Sequence, residues 1–145
     1  MAYAGAKESV DAVRKAFAEH GPFDGILGFS QGAAMTALLC GMRQQNLPEN
    51  AWLDFRFAIL VSGFKPRAKE LSHNFEQPIE VPSLHIIGET DDKVAPAKSM
   101  DMLAGFASPV LYNHPGGHYI PSDATTRNAL SEFVSKFATP PPSSL

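Results

Sequence analysis

Cysteine, charge of one sign and long apolar runs are all scarce in this chain, and each shortage excludes something. Among 145 residues there is one cysteine, Cys40, so no intramolecular disulfide can form and a reducing compartment is the natural setting. A formal net charge of −3 gives no electrostatic reason to expect nucleic acid or an anionic membrane as a partner. The longest largely apolar stretch beyond Ser30, "GAAMTALLCGM", falls well short of the ~20 residues that span a bilayer. The opening "MAYAGAKESVDAVRKAF" has no apolar core of the secretory kind, so a cytoplasmic protein is expected. What is present is an ordinary globular composition, 44% hydrophobic and 19% charged, at a length that predicts one domain over residues 1–138. The ending "ATPPPSSL" predicts a disordered Pro/Ser tail at 139–145.

Hydrophobic periodicity orders the rest. Val10, Val13 and Phe17 fall at helical spacing with charges on the opposite face, predicting a helix over residues 4–19. "HGP" at His20 to Pro22 should stop it, with Gly21 as a left-handed cap. "FDGILGF" reads as a buried strand, and Ala, Met and Leu predict a helix from Gln31 to Arg43. "FRFAILVSGF" (55–64), "SLHIIG" (83–88) and "PVLYNH" (109–114) read as further strands. Residues 65–81 read as loop with a single helical turn. Pro96 to Phe106 and a segment capped by Asp123, with Leu130, Phe133, Val134 and Phe137 facing inward, read as helices. Strands alternating with helices predict an α/β fold: about four mainly parallel strands with helices on both faces.

One serine stands between two glycines where the first strand gives way to a helix. "GFSQG" (Gly28 to Gly32) matches the G-x-S-x-G nucleophile elbow, in which a strained strand-to-helix turn lifts the serine hydroxyl above the strand ends. Crowding in that turn would account for both Gly28 and Gly32. The helix N-terminus behind Ser30 aims N–H groups at developing negative charge, so the Gln31 amide is the expected oxyanion donor. A hydroxyl needs a base, itself oriented by an acid, and both belong in loops after later strands. "GETDDKVAP" offers Asp91 and Asp92; "HPGGHYIPSD" offers His118, which follows the glycines that let the chain bend toward Ser30. His114, at the strand end, competes with it. His114 and His118 are four apart, but Pro115, Gly116 and Gly117 preclude the helix that would align them on a metal, and none is expected. His85 reads as packed within a strand, and Cys40 as a small apolar core residue. Phe29, Phe64, Tyr119 and Ile120, near strand ends, are candidate walls for an acyl chain.

Together, "GILGFSQGAAMTALL", "FAILVSGFKPR", "PSLHIIGETDDKVAP" and "HPGGHYIP" resemble the FSH-type serine hydrolases, small α/β-hydrolase esterases with thioesterase-like fungal members. The resemblance implies Ser30 as nucleophile, His118 as base and Asp92, through a D-x-x-x-P pattern ending at Pro96, as the acid. It also implies hydrolysis of a small-molecule carboxylic ester, by an acyl-enzyme, without cofactor. The family's chains begin with strands and an H-G-type loop that have no counterpart before Phe23 here. A chain lacking them is expected to miss a second oxyanion donor, worth about 10²–10³ in rate, and to expose the 23–29 strand as an apolar edge able to pair with a second copy. Three readings therefore stand: an ester hydrolase, an acyl thioesterase using the same triad, and a non-catalytic interaction module.

Overall fold

A computed structural model describes residues 3–137, with side chains from Gly5 onward. The 139–145 tail expected from the composition lies outside the described residues. Ten elements follow one another along the described residues, and their core is a four-stranded, wholly parallel sheet in the simple order β1–β2–β3–β4. The strands are β1 (Gly25–Phe29), β2 (Phe57–Val61), β3 (Ser83–Gly88) and β4 (Pro109–His114).

Helices cover both faces. On one face lie α1 (Tyr3–His20), α2 (Gln31–Gln44) and α3 (Pro96–Leu103), whose Ala, Leu and Met side chains join Ala58 and Leu60 of β2 in one cluster. On the other lies α4 (Ala124–Ser135), where Phe133 packs on Phe57, Ile59, Val61, Leu84 and Ile86. Successive residues of a strand point to opposite faces, which is why β2, covered on both, is buried at every position. Residues 33–41 of α2 are buried without interruption. Small side chains permit this: a Cβ on Gly41 would stand 2.4 Å from the Asn74 carbonyl oxygen.

Several boundaries differ from the sequence expectation for physical reasons. Gly21 ends α1 without a positive φ. Glycine is needed there because a Cβ would strike the Phe17 carbonyl, 2.4 Å away, which accepts the Gly21 N–H at 2.9 Å. β2 is shorter than the apolar run because Ser62 turns the chain at φ 52°. α3 stops at Leu103 so that Phe106 can bury itself against the His85 ring, 4.8 Å away. Residues 69–75 form a longer 3-10 segment than one turn, and a second, Pro48–Asn50, was not expected at all. On α4, Val134 is exposed, while Phe133 takes the inward position.

The two outer strands are the exposed ones. Among the described residues β1 pairs only with β2, and Leu27 and Phe29 remain open on the α4 face. No helix of the described residues is long and apolar enough to cross a membrane.

Candidate active site

Ser30, Asp91, Asp92 and His118 all lie past the carboxyl ends of strands, as a parallel sheet arranges its loops. Ser30 follows β1 directly with φ 56° and ψ −115°, a conformation that side-chain-bearing residues seldom adopt. Two contacts hold it there. Its N–H donates to the Val61 carbonyl at the end of β2 (2.8 Å), and its own carbonyl accepts the N–H groups of Ala33 and Ala34 as α2 begins. The tightness of the turn explains one glycine of the pentapeptide and not the other. A Cβ on Gly28 would lie 2.2 Å from the Gly32 carbonyl oxygen and 2.4 Å from the Thr36 hydroxyl, whereas a Cβ on Gly32 would meet nothing within 4 Å. Gln31, the first residue of α2, lies at the exposed mouth of the turn and makes no bond among the turn's backbone pairs.

His118 reaches Ser30 from the loop after β4. Gly116 and Gly117 carry the chain back over β3, where Gly116 accepts the Thr90 N–H and leaves no room for a Cβ beside Gly88. His118 Nε2 stands 2.9 Å from Ser30 Oγ, and its ring lies 4.9 Å from the Phe29 ring. His114 does not compete: it is buried, its Nδ1 accepts the Gly116 N–H, and its ring packs on Tyr119.

The carboxylate against the histidine belongs to Asp91. Asp91 Oδ2 lies 2.8 Å from His118 Nδ1, while Asp92, the residue favoured by the D-x-x-x-P pattern, is exposed to solvent. The cause is a local turn. Asp91 Oδ1 accepts the N–H groups of Lys93 and Val94, both at 2.9 Å, which folds the loop around the carboxylate and turns its second oxygen to the ring. Val94, three residues on, is buried as well. The apolar Val94 three residues after Asp91 is the one hint the sequence offers, and by itself it does not separate the two aspartates.

Electrostatics fix the protonation pattern. Burial pushes the Asp91 carboxyl up, but hydrogen bonds from Val94, His118 and Lys93 outweigh it and hold the group below the ordinary carboxylate range. An ionised carboxylate only accepts, so His118 Nδ1 carries a proton toward it, and in the neutral ring the lone pair then lies on Nε2, which faces the Ser30 hydroxyl. The candidate acyl walls divide. Phe29, Tyr119 and Ile120 expose apolar surface around the histidine, whereas Phe64 is half-buried in a cleft beside Lys65, Arg67 and Lys98. Among the described residues no group of three His, Cys, Asp or Glu side chains could hold a metal ion. Cys40 is fully buried, and burial pushes its thiol up to about 12, far from a reactive thiolate.

Known proteins resemble both the chain and its fold. Esterase OVCA2 of Xenopus tropicalis is 48% identical over 135 residues, covering 93% of this chain and 57% of the relative. The human protein of the same name is 40% identical, covering 92% and 59%. The chain therefore spans less than two thirds of the curated relatives it matches. The crystal structure of Zea mays acyl-protein thioesterase 2 superposes with a TM-score of 0.68 at 21% identity, over 91% of this chain and 64% of that one, which shows a shared α/β-hydrolase fold. Residues 1–130 match the family described as Serine hydrolase (FSH1), and to that family the chain belongs.

Proposed function

We propose that Ser30, His118 and Asp91 hydrolyse carboxylic esters through an acyl-enzyme. Ser30 Oγ attacks the ester carbonyl carbon while His118 Nε2 takes the hydroxyl proton. The negative charge that forms on the carbonyl oxygen falls in front of α2, where the Gln31 N–H is free to receive it. His118 then returns the proton to the departing alcohol, and a water molecule repeats the sequence on the acyl group. Asp91 keeps the imidazole in the required tautomer and balances the positive charge it gains. The exposed apolar surfaces of Phe29, Tyr119 and Ile120 suit the hydrocarbon part of an acyl group.

The reading rests on one observation above the others: side chains 88 residues apart meet at hydrogen-bond distance, Ser30 Oγ to His118 Nε2. A serine-directed fluorophosphonate probe tests it. The unaltered chain should label and the Ser30→Ala variant should not. A folded sample that stays unlabelled overturns the reading and leaves a non-catalytic interaction module in its place.

A further inference from the structure

A second feature lies in the loop that leaves β2, the strand whose Val61 carbonyl accepts the Ser30 N–H, and shares no residue with the proposed triad. The segment leaving β2 and the first turns of α3 enclose an open cleft of about 410 Å³, lined by Phe64, Lys65, Arg67, Ala97, Lys98 and Asp101 among others. Three cations face one carboxylate there, in a chain whose formal charge is −3. Among the described residues none of the three enters an ion pair; the pairs present involve Lys15, His20, Arg56 and His118. Three positive groups around one hollow, with a single carboxylate to offset them, leave a net positive charge that a bound anion relieves. The lining also includes Ala97 in the first turn of α3, where the helix dipole presents its positive end.

The cleft is tied to the Ser30 turn through β2 and pinned to α3. The Val61 carbonyl that accepts the Ser30 N–H precedes Phe64 by three residues, a span of at most ~11 Å of chain. Ser99 Oγ donates to the Gly63 carbonyl at 2.6 Å, pinning α3 to the segment. The loops past the strand ends thus have two characters. Apolar Phe29 stands on the α4 side of the sheet, with Tyr119 and Ile120 in the loop that leads into α4. The cationic cleft stands on the α2 and α3 side, where Gly63 packs against Ala33 and Met102.

We infer that this cleft receives a phosphate-type anion on the alcohol portion of the ester, while the acyl portion lies along Phe29 and Tyr119. The inference rests on the hydrolase reading above. It gives the preferred substrate as an acyl ester of a phosphorylated alcohol.

The test compares 1-butyrylglycerol 3-phosphate with 1-butyrylglycerol, a pair differing only in the anion. The phosphorylated ester should show kcat/KM higher by roughly tenfold at low ionic strength, and the advantage should shrink by about 0.5 M salt as the charges are screened. Replacing the cations together (Lys65→Gln, Arg67→Gln, Lys98→Gln) should bring the ratio of the two esters to about one. A ratio at or below one in the unaltered protein, or one that the triple substitution leaves in place, overturns the inference. Fluorophosphonate labelling of the same samples reports separately on Ser30. Should labelling and turnover both be absent, calorimetric binding of glycerol 3-phosphate to the Ser30→Ala protein decides: binding lost in the triple variant supports the cleft, and no binding overturns it.

Discussion

Ser30 and Ser62 each follow a parallel strand of the same sheet, with φ of 56° and 52°. Each donates its N–H to the last residues of the neighbouring strand, Ser30 to Val61 and Ser62 to Ile86. Their surroundings then part. Ser30 opens a fourteen-residue helix at the rim of the sheet and its hydroxyl meets an imidazole. Ser62 is 1% exposed, runs into a glycine and a loop, and its hydroxyl has no hydrogen-bond partner among the described residues. A left-handed serine after a strand is therefore a consequence of how parallel strands turn, and says little about chemistry by itself. Access and a base aimed at the oxygen make the difference.

The widest separation between the two should appear in turnover. Ser30→Ala should lower kcat by roughly 10⁴–10⁶, and Ser62→Ala should leave the rate within about twofold. A Ser62 variant as inactive as the Ser30 variant would break the comparison. The two aspartates sharpen it next. Asp91→Asn should cost about 10³–10⁴ in kcat by disturbing the His118 tautomer, while Asp92→Asn should change it by less than about twofold. If the two values came out reversed, the orientation of the acid loop would be refuted.

Stability separates the glycines around the Ser30 turn. A Cβ on Gly28 meets backbone, which cannot move aside, so Gly28→Ala should destabilise by about 3 kcal/mol in denaturant unfolding. Gly32→Ala has open space and should gain up to about 1 kcal/mol. His85, one residue before the carbonyl that holds Ser62, brings in pH. Burial lowers its pKa to about 4 from an ordinary 6.5, so between these values the unfolded chain binds a proton that the folded chain does not. Stability should fall as pH drops from 6.5 toward 4, by on the order of 3 kcal/mol, and His85→Leu should flatten that slope. The smallest effect belongs to Ser62→Ala: removing a buried hydroxyl without a partner should raise stability by about 0–1 kcal/mol.

The sheet and the order of its loops were legible because β2 is apolar at every position and β3 carries Leu84, Ile86 and Ile87, the pattern that buried parallel strands impose. That the Ser30 and His118 side chains would meet was legible because each sits at a change of local grammar, strand to helix at one and a pair of glycines at the other. The choice between Asp91 and Asp92 was not. Adjacent residues in a turn point in different directions, and the turn here is set by two backbone N–H groups donating to one carboxylate oxygen. A motif counted back from Pro96 carries no knowledge of that turn. Phe64 was grouped with the other aromatics by its place near a strand end, yet strand-end position does not reveal which side of the sheet a following loop takes. The Lys65, Arg67 and Lys98 cleft was hidden in the same way, since it joins residues from two separate loops.

The proposed reactive groups come from loops after the first, third and fourth strands, and the strands lie side by side in chain order. The imidazole therefore cannot reach the hydroxyl until the final strand has docked and drawn its glycine loop back across the sheet. Covalent capture of position 30 is in that sense a clock for maturation: a nascent or partly unravelled molecule that keeps the first three strands but frees the fourth would retain the serine and lose its reactivity.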